Sequence, residues 1–299
     1  MSKGASHTLR EARSTHLSGI GLRLLAAFLI TAMSAAIHAV ADRLPVGQIM
    51  FWRALLALPP ILIYMLWRNE SLRTAHPRLH ITRGALGAIS MALSFLSLAY
   101  LPVANAQALA YLAPVLALPL AALLLGERLT LTVILAAALG FGGVLAMLWQ
   151  ALALPGDGAA IGVAAGLAYA FTMAFVRVHT KRMTVTEGSS TIAFYFAIVA
   201  AASGLVTLPF GWQPLSLTSF TWLTLAGLLG GVGHIISNEA TARAPVSTLA
   251  PFDFTGLIWA LGFDLILFAT LPSGLGWLGI ALITGAALLI TFRPPKQGG

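Results

Sequence analysis

Gly84-Ala-Leu-Gly-Ala-Ile-Ser-Met-Ala-Leu-Ser94 returns 143 residues later as Gly227-Leu-Leu-Gly-Gly-Val-Gly-His-Ile-Ile-Ser237, with Gly84, Leu86, Gly87 and Ser94 falling on Gly227, Leu229, Gly230 and Ser237. The same offset runs outward from this stretch without a gap. Upstream, Gly19 falls on Gly162, Ala27-Phe28 on Ala170-Phe171, and Ile49, Phe51 and Ala54 on Ile192, Phe194 and Ala197. Downstream, Pro102-Val103 falls on Pro245-Val246, Ala117-Leu118 on Ala260-Leu261, and Gly142 on Gly285. A chain rich in Leu and Ala generates chance identities, but chance does not readily match Gly, Pro and Ser at one offset in five successive segments. The chain therefore reads as a duplication.

The duplicated unit belongs in a membrane. Hydrophobic residues make up 59% of the chain and charged residues only 9%. A soluble domain carries about a quarter of its residues charged. The apolar residues fall in runs of roughly 20, the length that crosses a hydrocarbon core of about 30 Å. The net charge of +8 does not indicate nucleic acid, because the basic residues sit in short gaps between apolar runs. There is no cysteine, hence no disulfide framework, thiolate nucleophile or cysteine metal site. Arg10, Arg13 and Ala39-Val40-Ala41 imitate the flanks of a secretory signal. The run Ile20–Val40 is too long for a signal core and is part of the repeat, so it is expected to remain as the first span.

Cutting the runs at charges, Pro and Gly predicts ten spans, near 19–40, 45–67, 80–100, 103–125, 130–150, 158–179, 188–209, 217–238, 244–269 and 274–292. With the N-terminus placed inside, the inner face receives Lys3, Arg10, Arg13, Arg23, Arg83, Arg177 and most other basic residues. The outer face receives only Arg43. That bias predicts cytoplasmic termini in a bacterial inner membrane. The expected organisation is a tail at 1–18, a five-helix repeat at 19–150, a second at 158–292, and a tail at 293–299. A five-span unit places its second copy upside-down. The predicted fold is an all-α membrane protein of ten transmembrane helices in two inverted five-helix repeats, an arrangement that lets two near-equivalent halves expose a midplane site alternately.

Ala108-Leu-Ala-Tyr-Leu-Ala-Pro114, followed by Leu125-Gly-Glu-Arg-Leu129, resembles span 4 and the tight turn into span 5 of the drug/metabolite transporter superfamily, EamA type. Ala250-Pro-Phe-Asp-Phe254 resembles the second-half counterpart, and Arg53 in Phe51-Trp-Arg53 resembles an arginine common in the family's second span. Thr270-Leu-Pro-Ser273 departs from the family's usual Gly-Glu at that turn. The resemblance covers nearly the whole chain and implies a central cavity lined by spans 1–4 and 6–9, with spans 5 and 10 peripheral. Leu44-Pro-Val-Gly-Gln48, Thr207-Leu-Pro-Phe-Gly-Trp212 and Leu225–Gly233 look like the riboflavin-transporter branch. Related branches move amino acids, S-adenosylmethionine and other metabolites.

Ionisable side chains at membrane depth are costly and are candidates for function. Arg53 either contacts substrate or pairs with Asp264, which would satisfy both charges. Asp253 and Asp264 are eleven residues apart, three turns, and are expected on one face of span 9. Asp253 either carries a coupling proton or braces neighbouring helices through an ion pair. His234 and Asn238 share a stripe of span 8, with Glu239 one step round. Asn105, Gln107 and Tyr111 are polar candidates on span 4, and Trp52, Tyr100 and Trp259 are candidates for stacking on a planar ligand. Pro114, Pro119 and Pro251 are expected to interrupt spans 4 and 9.

No Walker loop, G-x-S-x-G elbow or H-E-x-x-H run is present, and no cofactor or metal site is expected. The leading expectation is a secondary transporter of a small metabolite, riboflavin or a similar planar compound, with an amino-acid or other metabolite exporter as alternative. An intramembrane enzyme and a non-transporting membrane subunit are the readings from other classes. The expected partners are a small-molecule solute and the bilayer, not nucleic acid, and a homodimer is one arrangement the chain allows.

Overall fold

In a bilayer every backbone N–H and C=O must be satisfied within the protein, so an apolar run of this length folds as helix. The computed structural model describes residues 2–74, 76–101, 103–110, 112–126, 129–151, 157–268 and 274–292. Among these the chain forms α1 (Ser2–His38), α2 (Val46–Leu56), α3 (Leu58–Arg68), α4 (Pro77–Tyr100), α5 (Val103–Ala110), α6 (Leu112–Leu125) and α7 (Leu131–Ala151). There follow α8 (Asp157–Met183), α9 (Ser189–Leu205), α10 (Leu217–Arg243), α11 (Val246–Asp253), α12 (Thr255–Phe268) and α13 (Gly274–Phe292).

Each predicted span coincides with one helix or with two consecutive ones. Six stretches are long and apolar enough to cross a membrane: Leu17–His38, Val46–Arg68, Pro77–Tyr100, Ala160–Met183, Leu217–Arg243 and Val246–Leu267. Shorter apolar helices cover Leu116–Leu125, Leu131–Gly143 and Ser189–Leu205. Large apolar side chains such as Leu66, Leu123, Leu131, Trp149 and Ile266 face outward, the inverse of a soluble surface.

Local chemistry sets the helix ends. Pro77 opens α4, where a missing N–H costs nothing. Ser216 caps α10 by accepting from Ser219 N at 3.1 Å. Asn69 ends α3 in the left-handed conformation, φ 52°, and Glu70 N–H returns to the Met65 carbonyl at 3.0 Å.

Three features depart from the sequence expectation. Backbone helix extends through α1 from Ser2, upstream of the predicted start at 19. The second span divides into α2 and α3 around Ala57, because Pro59 and Pro60 supply no N–H to the carbonyls of Leu55 and Leu56. Pro119 sits inside a continuous α6, whereas span 9 divides between Asp253 and Thr255, soon after Pro251.

Packing joins the first five spans to the last five. α1 lies on α10 and α4 on α8, while α2 packs against α9 and α7 against α13. The largest buried apolar cluster draws Ile37 from α1, Ile49 from α2, Leu98 from α4, Leu223 from α10 and Leu257 from α12. A smaller one joins Val133 and Ala137 of α7 to Ala286 of α13.

Polar straps close the contact between α2–α4 and α9–α10 at opposite ends. At one end the Glu70 carboxylate accepts from Ser190 N at 3.1 Å and from the Ser190 hydroxyl, and Thr191 donates to the Ser71 carbonyl at 2.9 Å. Beside them Glu187 accepts from the Thr74 hydroxyl at 2.6 Å and lies 3.3 Å from His80 Nε2. At the other end Gln48 Nε2 donates to the Gln213 carbonyl at 2.7 Å, and Gln213 N donates back to Gln48 Oε1 at 2.9 Å.

Candidate functional site: an arginine-lined cavity

Side chains from α1, α2, α4, α5, α8, α9, α10 and α11 converge on one cavity of about 150 Å³; among the described residues none comes from α7 or α13. That room exceeds the roughly 10–15 Å³ one water requires, so charged groups here need not be stripped bare. Four arginines and one aspartate line it: Arg23, Arg53, Arg83, Arg177 and Asp253. Four positive charges against one negative leave three uncompensated.

The charges form two groups. In the first, Arg177 Nη1 of α8 donates to Asp253 Oδ2 of α11 at 2.6 Å. Arg23 Nη1 of α1 stands 3.7 Å from Asp253 Oδ1 and donates to the Ser237 hydroxyl at 2.8 Å, while its Nη2 donates to Thr241 at 2.8 Å. Asp253 thus ties three helices, with α10 hydroxyls completing the coordination.

In the second group, Arg53 of α2 is 1% exposed and Arg83 of α4 is 5% exposed. Arg53 Nε and Nη2 lie 3.3 and 3.0 Å from Met33 Sδ, a weak acceptor. The Arg83 guanidinium carbon sits 4.1 Å from the Phe196 ring centroid, and that of Arg53 sits 6.0 Å from it. The His234 ring meets Phe196 edge-on at 5.1 Å. Arg53 Nη1, Arg83 Nε and Arg83 Nη1 are buried without a hydrogen-bond partner among the described residues. Close approach requires glycine here: a Cβ at Gly230 would lie 2.5 Å from Arg53 Nη2 and 2.7 Å from Met33 Sδ.

Of the residues predicted from sequence, Arg53, Gln107, His234, Asn238 and Asp253 line the cavity. Asn238 also donates to the Ser189 carbonyl at 3.0 Å, bracing α10 against α9. The rest lie elsewhere. Asp264 is buried on α12 away from the cavity, and Arg53 meets Met33 instead of that carboxylate. Both aspartates are buried, Asp253 at the end of α11 and Asp264 on α12 beyond Phe254, and the cavity takes in the first without the second. Glu239 pairs with Arg243 on its own helix at 2.7 Å. Trp52 is wedged edge-on against Phe51 and Phe220, Trp259 is 44% exposed against Phe28, and Tyr100 is exposed. Asn105 is half-buried outside the cavity, and Tyr111 lies outside the described residues.

Arg23, Arg83 and Arg177 are cavity residues that charge counting assigned to the inner rim. Their signal was helical spacing: Arg23, Ala27 and Thr31 repeat every four residues, as do Tyr169, Met173 and Arg177, and all six line the cavity.

Residues 17–149 match the EamA-like transporter family. The matched stretch is the first of the two repeats expected from the sequence. The chain is 28% identical over 288 residues to a pseudopaline exporter of Pseudomonas aeruginosa, covering 92% of this chain and 96% of that one. It is 29% identical over 223 residues to a riboflavin transporter of Rhizobium johnstonii, covering 74% of this chain and 72% of the relative. With an S-adenosylmethionine uptake transporter of Rickettsia conorii it shares 24% identity over 294 residues, covering 96% and 97%. A crystal structure superposes with a TM-score of 0.76 at 22% identity, covering 94% of this chain and 97% of that one, which supports the fold. The family match and these relatives together make the chain a multi-pass membrane transporter rather than an enzyme.

Proposed function

We propose that this chain is a secondary active transporter that moves a small metabolite by alternating access, with ten spans in two inverted repeats (19–150 and 158–292) and both termini cytoplasmic in a bacterial inner membrane. The repeat at offset 143 and the exchange of packing partners support the architecture. Shifting by five spans converts the α1–α10 contact into α8–α4, and returns α2–α9 and α7–α13 to themselves, as a two-fold relation requires. The observation that carries the reading is the cavity: both repeats line it, and its charged groups face inward at the seam between them.

Riboflavin, named for two of the relatives, is the first planar solute to test. A second reading, export of an amino acid or another acidic metabolite, is favoured by the arginines and by the absence of Trp52 and Trp259 from the cavity. The test is uptake of labelled solutes into proteoliposomes of the purified chain. Counterflow driven by the same unlabelled solute is expected. A failure of every solute to exchange above protein-free vesicles defeats the transport reading.

A further inference from the structure

The geometry points to a carboxylate-binding subsite formed by Arg53 and Arg83, and to a transported solute that is a small organic polyanion carrying at least two carboxylates. The choice of solute class rests on the transport reading above; the binding subsite does not.

A buried charge persists only where an opposite charge or a dense set of hydrogen bonds meets it. Arg177 and Arg23 have Asp253. Arg53 and Arg83 have a thioether and an aromatic face, and three of their N–H-bearing nitrogens have no partner among the described residues. A guanidinium presents donors in a planar fork that matches a carboxylate two-to-two. Both forks lie near one ring, Phe196, at 6.0 and 4.1 Å from its centroid. They suit an oxyanion delivered by the solute, because among the described residues Asp253 is the one carboxylate that lines the cavity.

Three uncompensated charges are more than a neutral or zwitterionic solute balances, which sets the solute's charge at two or more. A second acidic group meets the Arg23–Arg177 side of the same cavity, where Asp253 leaves one positive charge in excess. Between the charged groups the wall carries Met33, Met91, Phe95 and Met173 alongside the uncharged polar Gln107, His234 and Asn238. The apolar part fits a carbon skeleton between acidic ends, which inorganic phosphate lacks.

The experiment uses the purified full chain and measures its melting temperature and ligand affinity with succinate, citrate, succinamide, L-alanine, riboflavin and inorganic phosphate. Succinate and citrate are expected to stabilise the protein, with an effect that falls as sodium chloride rises; the diamide and L-alanine are expected to have none. Arg53→Gln and Arg83→Gln are each expected to weaken succinate binding at least tenfold, whereas Glu239→Gln, outside the cavity, leaves it unchanged. Should the arginine variants fail to fold, the wild-type contrast between succinate and succinamide decides alone. Equal response to diacid and diamide, or a response to phosphate or riboflavin without one to diacids, overturns the subsite. Diacid binding without flux in proteoliposomes overturns the transport reading and leaves the subsite standing. Riboflavin flux indifferent to succinate does the reverse.

Discussion

Arg53 and Phe196 stand 143 residues apart in the sequence and both line the cavity, guanidinium carbon to ring centroid 6.0 Å. The glycines beside them repeat as well. Gly230 gives room to Arg53 and its equivalent, Gly87, gives room to Phe196 and Arg83. On the proposed duplication, close packing that admits a large side chain is kept at this point, while one copy carries a cation and the other a ring.

Arg53→Ala is expected to lower solute flux by at least tenfold, about 1.4 kcal/mol or more in transition-state or binding terms. Removing an unpaired buried charge relieves desolvation, so the melting temperature should stay level or rise. Wild-type flux in reconstituted Arg53→Ala would remove this residue from the site.

Two neighbouring glycines separate function from stability. In Gly230→Ala the new methyl meets the mobile end of Arg53, so flux should fall with little loss of stability. In Gly227→Ala it meets the Leu56 backbone carbon at 2.8 Å, which cannot yield without moving α2. That variant should lose about 1–3 kcal/mol. Thermal melts and transport rates of both proteins, measured side by side, check the contrast.

Arg177→Met leaves Asp253 with Arg23 alone at 3.7 Å. The expected destabilisation is about 3 kcal/mol, toward the low end for a broken buried pair because one cation stays. Arg177→Met combined with Asp253→Leu should cost less than the two single changes summed. Additive melting shifts in that double-mutant cycle would mean that the 2.6 Å contact does not couple the helices.

The chain has no native cysteine, so a single introduced thiol reports access without background. Ser237→Cys, in the cavity wall, should react with a membrane-impermeant maleimide, and saturating transported solute should change that rate several-fold. A rate unaffected by every transported solute would count against alternating access.

The sequence disclosed what depends on composition and spacing along the chain: the apolar runs that become helices, and Arg53, His234 and Asp253 as polar groups of the cavity. It concealed what depends on azimuth. Spans apolar all round carry no stripe that says which side meets lipid, so Trp259 looked like a ligand platform and lies against Phe28 at the exposed surface. Arg83 and Arg177 were counted toward topology because they fall near span ends, although burial and lining are set by the helix face. The Asp253–Asp264 spacing said that both carboxylates are buried, and not that the cavity takes in only the first of them.

The two straps are made of different bonds. One relies on carboxylates, Glu70 and Glu187, held by hydroxyls, a backbone amide and an imidazole; the other is a reciprocal pairing of an uncharged side-chain amide with backbone. The repeat that matches the glycines of the two halves therefore does not extend to their fastenings: one end of the contact is clasped by carboxylates, the other by a neutral amide.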